Sequence, residues 1–139
     1  MNTLKIAIQK SGRLHDESIQ LLKDCGISVY NGNDQLKVTA SNFPLEVYYL
    51  RNSDIPQYLL DGVVDIAIVG DNLLVEKGQN IIVAERLGFS KCKVSVAVPK
   101  NFEYNSIQDL NGLRVATSYP KTVIDFFSSK GISVDIHQI

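Results

Sequence analysis

The sequence contains few of the residues that build metal and redox centres. Its 139 residues include two cysteines, Cys25 and Cys92, and two histidines, His15 and His137. The cysteines match no metal or redox spacing, and the histidines belong to no zinc-binding pattern. We therefore expect both cysteines to be small buried thiols. We expect each histidine to be either solvated or satisfied by a hydrogen bond.

Long apolar runs and an excess of basic charge are also lacking. No stretch approaches the roughly 18 apolar residues of a membrane span, and the N-terminus lacks a basic segment followed by an apolar run. The formal net charge of -1 and the pI near 6.1 argue against a nucleic-acid binder. We therefore expect a cytoplasmic protein that has neither membrane nor nucleic acid as a partner.

The chain is long enough to bury a sizeable core, as one domain or as two small lobes. Strand patterns alternate with helical patterns along it, which is typical of an α/β fold with mostly parallel strands and right-handed crossovers. The strands are predicted at 4–8, 27–30, 36–40, 45–50, 63–69, 81–87, 93–98, 113–118 and 133–139, with a turn at 31–34 that joins two of them as a hairpin. The helices are predicted at 16–25, 53–62, 73–77, 106–112 and 122–130.

Polar residues follow three of the predicted strands, at 9–13, 70–72 and 117–119. Ligands of parallel sheets bind beyond the carboxyl ends of the strands. These three loops are therefore candidates for a single site. The sequence pattern changes near residues 88–91, which predicts a joint between two lobes with the ligand bound between them.

The first loop carries two cations, Lys10 and Arg13, on either side of Ser11 and Gly12. Gly12 allows the backbone to approach a ligand closely, and the helix that follows offers free N–H groups. Such a loop predicts an anion site. The alternative is an ordinary connection whose cations face water.

The second group of candidates has two interpretations for each residue. Arg51 is either a further phosphate ligand or an ion-pair partner of Asp54. Asp71 and Asn72 either hydrogen-bond a ribose or an adenine amino group, or they form a common turn.

The third loop also leaves alternatives open. After Thr117, the hydroxyl of Ser118 suits a phosphate and the ring of Tyr119 suits a base. Tyr119, which precedes Pro120, alternatively fixes the turn. Asp65 is expected to cap or orient a loop rather than to act in acid–base chemistry.

The segments 8–14, 54–56, 61–70 and 112–120 resemble the ATP phosphoribosyltransferase family in order and spacing. The Gln-Lys-Ser-Gly-Arg sequence of the first segment is similar to the long, self-regulated branch. The resemblance implies that ATP and phosphoribosyl pyrophosphate combine, with Mg²⁺, to give N1-(5-phosphoribosyl)-ATP and pyrophosphate. This reaction is the first step of histidine biosynthesis.

The resemblance also implies a fold like that of type II periplasmic binding proteins, with lobe one at 1–90 and a truncated lobe two at 91–139. Lys10 and Arg13 are the residues expected to act on the phosphates in catalysis. The other residues expected to bind substrate are Gln9, Ser11, Gly12, Arg51, Gly70, Asp71, Asn72, Thr117, Ser118 and Tyr119.

The sequence departs from this family because it stops before the loop that holds the ribose phosphate. We therefore expect an N-terminal fragment that is inactive alone, from a full-length protein that forms a homo-oligomer. The alternative function is a non-enzymatic two-lobe module that binds a small anion or an amino acid.

Overall fold

A computed structural model describes residues 2–30 and 35–139 of the chain. The chain divides into two compact units, Met1–Cys92 (unit 1) and Lys93–Ile139 (unit 2). That these units are the two lobes of a larger fold stays a prediction.

Unit 1 contains four strands, three α-helices and one 3₁₀ turn among its described residues. In chain order they are β1 (Leu4–Gln9), α1 (Arg13–Asp24), β2 (Lys37–Thr39), β3 (Leu45–Leu50), the 3₁₀ turn Asn52–Asp54, α2 (Ile55–Leu60), β4 (Ile66–Ala67) and α3 (Asp71–Lys77). Helix α1 begins three residues earlier than predicted because Gly12, with φ of 91°, turns the chain directly into it.

The four strands form one sheet in the order β2-β3-β1-β4. Strand β1 is parallel to both β3 and β4, with Gln9 opposite Leu50 and Ala7 opposite Ala67. Only β2, an edge strand, runs antiparallel to its neighbour. The predicted α/β class with mostly parallel pairing is therefore confirmed.

Apolar residues cover both faces of the sheet in unit 1. On one face Ile6 and Ile8 of β1 pack in a cluster with Ile19 and Leu22 of α1. On the other face Ala7 packs in a cluster with Ile55 of α2. The alternation along β1 places successive side chains on opposite faces, so this strand lies at the centre of the core.

Unit 2 is smaller and has a two-stranded sheet. Its elements are the 3₁₀ helix Ile107–Leu110, β5 (Arg114–Thr117), α4 (Pro120–Ser129) and β6 (Asp135–Gln138). Strands β5 and β6 are parallel. The buried cluster of this unit consists of Leu110, Phe127 and Ile132.

Three predicted strands are absent from the described residues, namely those at 27–30, 81–87 and 93–98. The alternation of apolar residues at 93–98 predicts a strand, but a strand also needs a neighbour for its backbone hydrogen bonds. These segments form no ladder, and Ile82 is 90% and Val94 53% exposed. The hairpin predicted between 27–30 and 36–40 is also wrong, because β2 pairs with β3. The turn predicted at 31–34 lies outside the described residues.

Both cysteines are exposed, so the prediction of buried thiols is wrong. Cys25 follows the last residue of α1, where its backbone N–H caps the helix, and Cys92 lies outside the helices and strands. Across residues 2–30 and 35–139, no helix combines the length and apolarity needed to cross a bilayer.

Candidate functional site

The carboxyl ends of three parallel strands meet at one edge of the sheet in unit 1, which we call the C-terminal edge. The backbone N–H of Lys10 donates to the carbonyl oxygen of Leu50 at 2.9 Å, so the loop after β1 starts beside Arg51. The N–H of Ile68 donates to the carbonyl oxygen of Ala7 at 3.0 Å, which extends the pairing of β1 and β4 towards Gly70. The topology thus brings the loops at 9–13 and 70–72 and Arg51 to the same edge.

The loop after β1 has the backbone of an anion site. Gly12 combines φ of 91° with ψ of -173°, a conformation that residues with a side chain rarely adopt. Gly12 has no side chain to cap α1, and the positive end of the helix dipole at this point favours an anion. Gln9 is half-buried with its amide nitrogen beside Gly12, and Ser11 is exposed.

Two cations flank this loop. Lys10 is exposed, and its ammonium group has no partner among the described residues. One guanidinium nitrogen of Arg13, Nη2, donates to the carbonyl oxygen of Lys91 at 3.1 Å. Because that partner is neutral, Arg13 keeps its positive charge uncompensated and retains further donors for an anion.

Arg51 follows β3 and is exposed. Its carbonyl oxygen accepts the N–H of Asp54 at 2.9 Å. No ion pair joins the two side chains, both of which lie in the described part of the chain. The ion-pair alternative is therefore wrong, and phosphate binding by Arg51 stays a prediction.

Asp71 begins α3 and is held by a residue that the sequence did not indicate. Nη1 of Arg86 lies 2.9 Å and 2.7 Å from the two carboxylate oxygens of Asp71. The side chains of both residues are 69% exposed, so the pair adds little to stability. Asn72 folds over Gly70, with its Oδ1 2.5 Å from the position that a Cβ would occupy. Because this oxygen is the end of a side chain, a Cβ at residue 70 would displace the Asn72 side chain rather than exclude the turn.

The third predicted loop belongs to unit 2. The backbone N–H of Tyr119 donates to Oγ1 of Thr117 at 2.9 Å, and the Ser118 hydroxyl donates to the carbonyl oxygen of Ile139 at 3.2 Å. Tyr119 caps α4, and Pro120 is the first residue of that helix. These bonds support the prediction that Tyr119 fixes the turn. That this loop shares a site with the loops of unit 1 stays a prediction.

Two residues that contact the candidate loops were not singled out by sequence reasoning as part of a site. His15, in the first turn of α1, is bonded through Nδ1 to the carbonyl oxygen of Gln9 at 2.9 Å. Its place two residues after Arg13 was the available signal. Arg86 was missed because its partner, Asp71, lies 15 residues away, and no local pattern predicts that pairing.

Other groups play structural parts. The carboxylate of Asp65 accepts the N–H of Lys5 at 2.9 Å and ties β4 to β1, as expected of an orienting residue. Burial raises the pKa of Tyr49, because the phenolate is poorly solvated there.

A surface cavity of about 480 Å³ lies at the other end of α1, lined by Lys23, Ile27 and Thr39 among others, and includes none of the predicted site residues.

Comparison with protein families gives one match over residues 51–139, to the family described as HisG, ATP phosphoribosyltransferase. Among curated proteins, the chain is 51% identical over 136 residues to the ATP phosphoribosyltransferase of Cytophaga hutchinsonii. It is 47% identical to that of Parabacteroides distasonis and 43% identical to that of Bacteroides thetaiotaomicron. Each alignment covers 98% of this chain and 48% of the relative, so the chain spans about half the length of these proteins.

A solved structure also resembles this chain. It is described as the ATP phosphoribosyl transferase (HisG:HisZ) complex from Thermotoga maritima. The TM-score is 0.67 at 24% identity, and the match covers 99% of this chain and 64% of the other. At this identity the likeness supports the fold alone.

Proposed function

The chain belongs to the ATP phosphoribosyltransferase family, and from that premise we propose that the whole protein condenses ATP with phosphoribosyl pyrophosphate. The products are N1-(5-phosphoribosyl)-ATP and pyrophosphate, in the first step of histidine biosynthesis. The observation that carries this proposal is the 51% identity to a named transferase over 98% of the chain. The relatives named above are all transferases, which favours this function over a non-enzymatic binding module.

The part of the reaction that we assign to this chain is the binding of phosphate groups. When adenine N1 displaces pyrophosphate from the anomeric carbon, positive charge develops on the ribose and negative charge on the leaving group. Cationic groups held in place beside the leaving group lower the barrier most. Lys10 and Arg13, on either side of Ser11 and Gly12 in the loop after β1, are the side chains of unit 1 that we assign to this role.

Arg13 and Lys10 differ in what they offer an anion. The planar guanidinium of Arg13 can hold two phosphate oxygens at once, whereas the ammonium group of Lys10 acts as a point charge. Arg51 is proposed as a third cation at the C-terminal edge, and Asp71 and Asn72 as partners of the nucleoside. No nucleophilic side chain is needed, because this transfer depends on positioning and electrostatics.

Magnesium is proposed to enter with the phosphates of the substrates. Among the described residues, no group of three or more histidine, cysteine or acidic side chains is placed to hold a metal ion. Mg²⁺ commonly binds through substrate phosphates and one or two carboxylates. Both carboxylate oxygens of Asp71 at the C-terminal edge are engaged by Arg86, so we assign the metal to the phosphates of the substrates and to no side chain of this chain. When bound, Mg²⁺ would neutralise charge on the departing pyrophosphate.

We further propose a type II periplasmic-binding-protein-like arrangement of two lobes, in which the loop at 117–119 completes the site. The whole protein is proposed to be a cytoplasmic homo-oligomer. These proposals rest on family membership and on the predicted convergence of the loops.

The proposal is tested by measuring ATP binding to the 139-residue chain by calorimetry, with Arg13→Ala as the variant. Loss of a charged hydrogen bond at this position should weaken binding by about 1–3 kcal/mol. Lys23→Ala is the matched control, since Lys23 lies in the last turn of the same helix and outside the proposed site. Equal affinities for the chain and for Arg13→Ala would remove Arg13 from the site.

A further inference from the structure

His15 is a buried polar residue immediately beneath the loop after β1. It is the third residue of α1 and is 8% exposed. Its ring packs against that of Tyr49 on β3, with 5.5 Å between the ring centroids and 50° between the planes. A residue held in this way has little freedom to change its orientation.

The hydrogen bond between His15 and Gln9 shows that one particular nitrogen of the imidazole ring carries a proton. The carbonyl oxygen of Gln9 can only accept, so Nδ1 of His15 must carry a proton and donate it over 2.9 Å. This bond joins the first turn of α1 back to the last residue of β1. It therefore closes a loop of the chain that contains Lys10, Ser11 and Gly12.

Three hydrogen bonds of the described residues hold this short loop at its two ends. The N–H of Lys10 donates to Leu50 and the N–H of Asp16 donates to Gly12, at 2.9 and 3.1 Å. The bond from His15 is the one made by a side chain. A loop whose backbone is already fixed loses less conformational entropy when it binds an anion.

We propose that His15 is a positioning residue, which sets the conformation of the loop 10–12 for phosphate binding by donating Nδ1–H to the carbonyl oxygen of Gln9. His15 does not contact the ligand. This inference rests on the proposed function of the loop. It adds to the site a residue, His15, that takes no direct part in phosphate binding.

Two variants separate the hydrogen bond from the packing of the ring. His15→Asn keeps an N–H donor near the position of Nδ1, whereas His15→Phe keeps a ring of similar size without the donor. His137, exposed on β6, provides the control variant His137→Phe. The probe is inorganic pyrophosphate, titrated into the 139-residue chain and each variant, with thermal unfolding recorded for all of them.

We expect His15→Phe to weaken pyrophosphate binding about 3- to 10-fold, as for the loss of one hydrogen bond. His15→Asn should recover most of that loss, and His137→Phe should bind as the unsubstituted chain does. Equal weakening by His15→Asn and His15→Phe would assign the effect to packing and overturn the proposal.

Nitrogen-15 NMR of the unsubstituted chain without ligand provides an independent test. The proposal requires a proton on Nδ1 of His15, and a ring protonated at Nε2 alone would overturn it. The amide signals of Lys10–Gly12 should move in His15→Phe and stay close to their original positions in His15→Asn. If the unsubstituted chain binds no pyrophosphate, the proposed function fails, while these spectra still decide whether His15 positions the loop.

Discussion

The sheet of unit 1 is covered by apolar clusters on both faces, whereas the two-stranded sheet of unit 2 rests on one cluster. In unit 1 the first cluster alone contains ten buried residues, contributed by β1, α1, β2 and β3 and by the residues that follow β2 and β4. In unit 2 three residues, Leu110, Phe127 and Ile132, are buried. Since burial of apolar area supplies most of the stability, unit 2 depends far more on each of its core residues.

The strand ends of the two units differ in charge as well. In unit 1 two of the three parallel strands, β1 and β3, are followed directly by cations, Lys10 and Arg51, and the third, β4, leads to Asp71. In unit 2 the strand end carries the hydroxyl groups of Thr117 and Ser118. The sheet that is packed on both faces thus carries the cations that we expect to bind phosphate. A fixed geometry matters most for such charged groups.

The largest expected effect follows from Phe127, which is 1% exposed and is the largest of the fully buried side chains. Phe127→Ala should destabilise unit 2 by about 3–5 kcal/mol, because it removes most of a small core. Amide hydrogen exchange of β5 and β6 should accelerate, while that of β1 and β3 stays slow. Phe126→Ala is the matched control, since Phe126 is 41% exposed and its loss removes only its edge contact with Phe127, which should cost much less than the loss of Phe127.

The same experiment can also contradict the expected difference in local stability between the two units. If Phe127→Ala accelerated exchange equally in β1 and in β5, the two units would unfold as one cooperative body. The difference between their cores would then have no consequence for local stability.

The sequence predicted the central elements of unit 1 well because their patterns were local. The alternation in β1, the helical spacing in α1 and the turn at Gly70 all follow from neighbouring residues. The strands predicted at 81–87 and 93–98 failed because a strand is defined by its partner, and apolar alternation does not provide one. The exposure of Cys25 and Cys92 likewise follows from their places at a helix end and in a segment outside the helices and strands.

In the candidate site, too, local features were predictable and contacts between distant side chains were not. Lys10, Gly12 and Arg13 were recognisable from their order at the end of an apolar run, and parallel pairing placed Arg51 beside them. The bond from His15 to Gln9 and the pair of Arg86 with Asp71 depend on how side chains meet in the fold. Residue order alone does not specify such contacts.

A smaller effect is expected from Asp109, in the 3₁₀ helix Ile107–Leu110 of unit 2. Its carboxylate accepts the N–H groups of Asn105 and Ser106 at 2.8 and 3.1 Å, and these bonds lower its pKa below the usual 3.8. A lowered pKa contributes stability that is present above the unfolded-state value and is lost as the pH falls through the folded-state value. The amide NMR signals of Asn105 and Ser106 should therefore titrate below the usual pKa.

Asp109→Asn supplies the control for this titration, because it has no carboxylate to protonate. The two amide signals should then be independent of pH over the same range. A midpoint above 3.8 in the unsubstituted chain would contradict the assigned hydrogen bonds. The effect belongs to unit 2, so the signals of Lys10 and Gly12 in unit 1 should not follow it.

The central claim is that the C-terminal edge of the sheet in unit 1 binds phosphate groups, and pyrophosphate titration followed by amide NMR tests it most directly. The account predicts that the signals of Lys10, Gly12, Arg13 and Arg51 move together with one affinity. It also predicts that signals around the cavity at the other end of α1, such as those of Ile27 and Thr39, stay unchanged. Movement at that cavity with no change at Lys10–Arg13 would contradict the account.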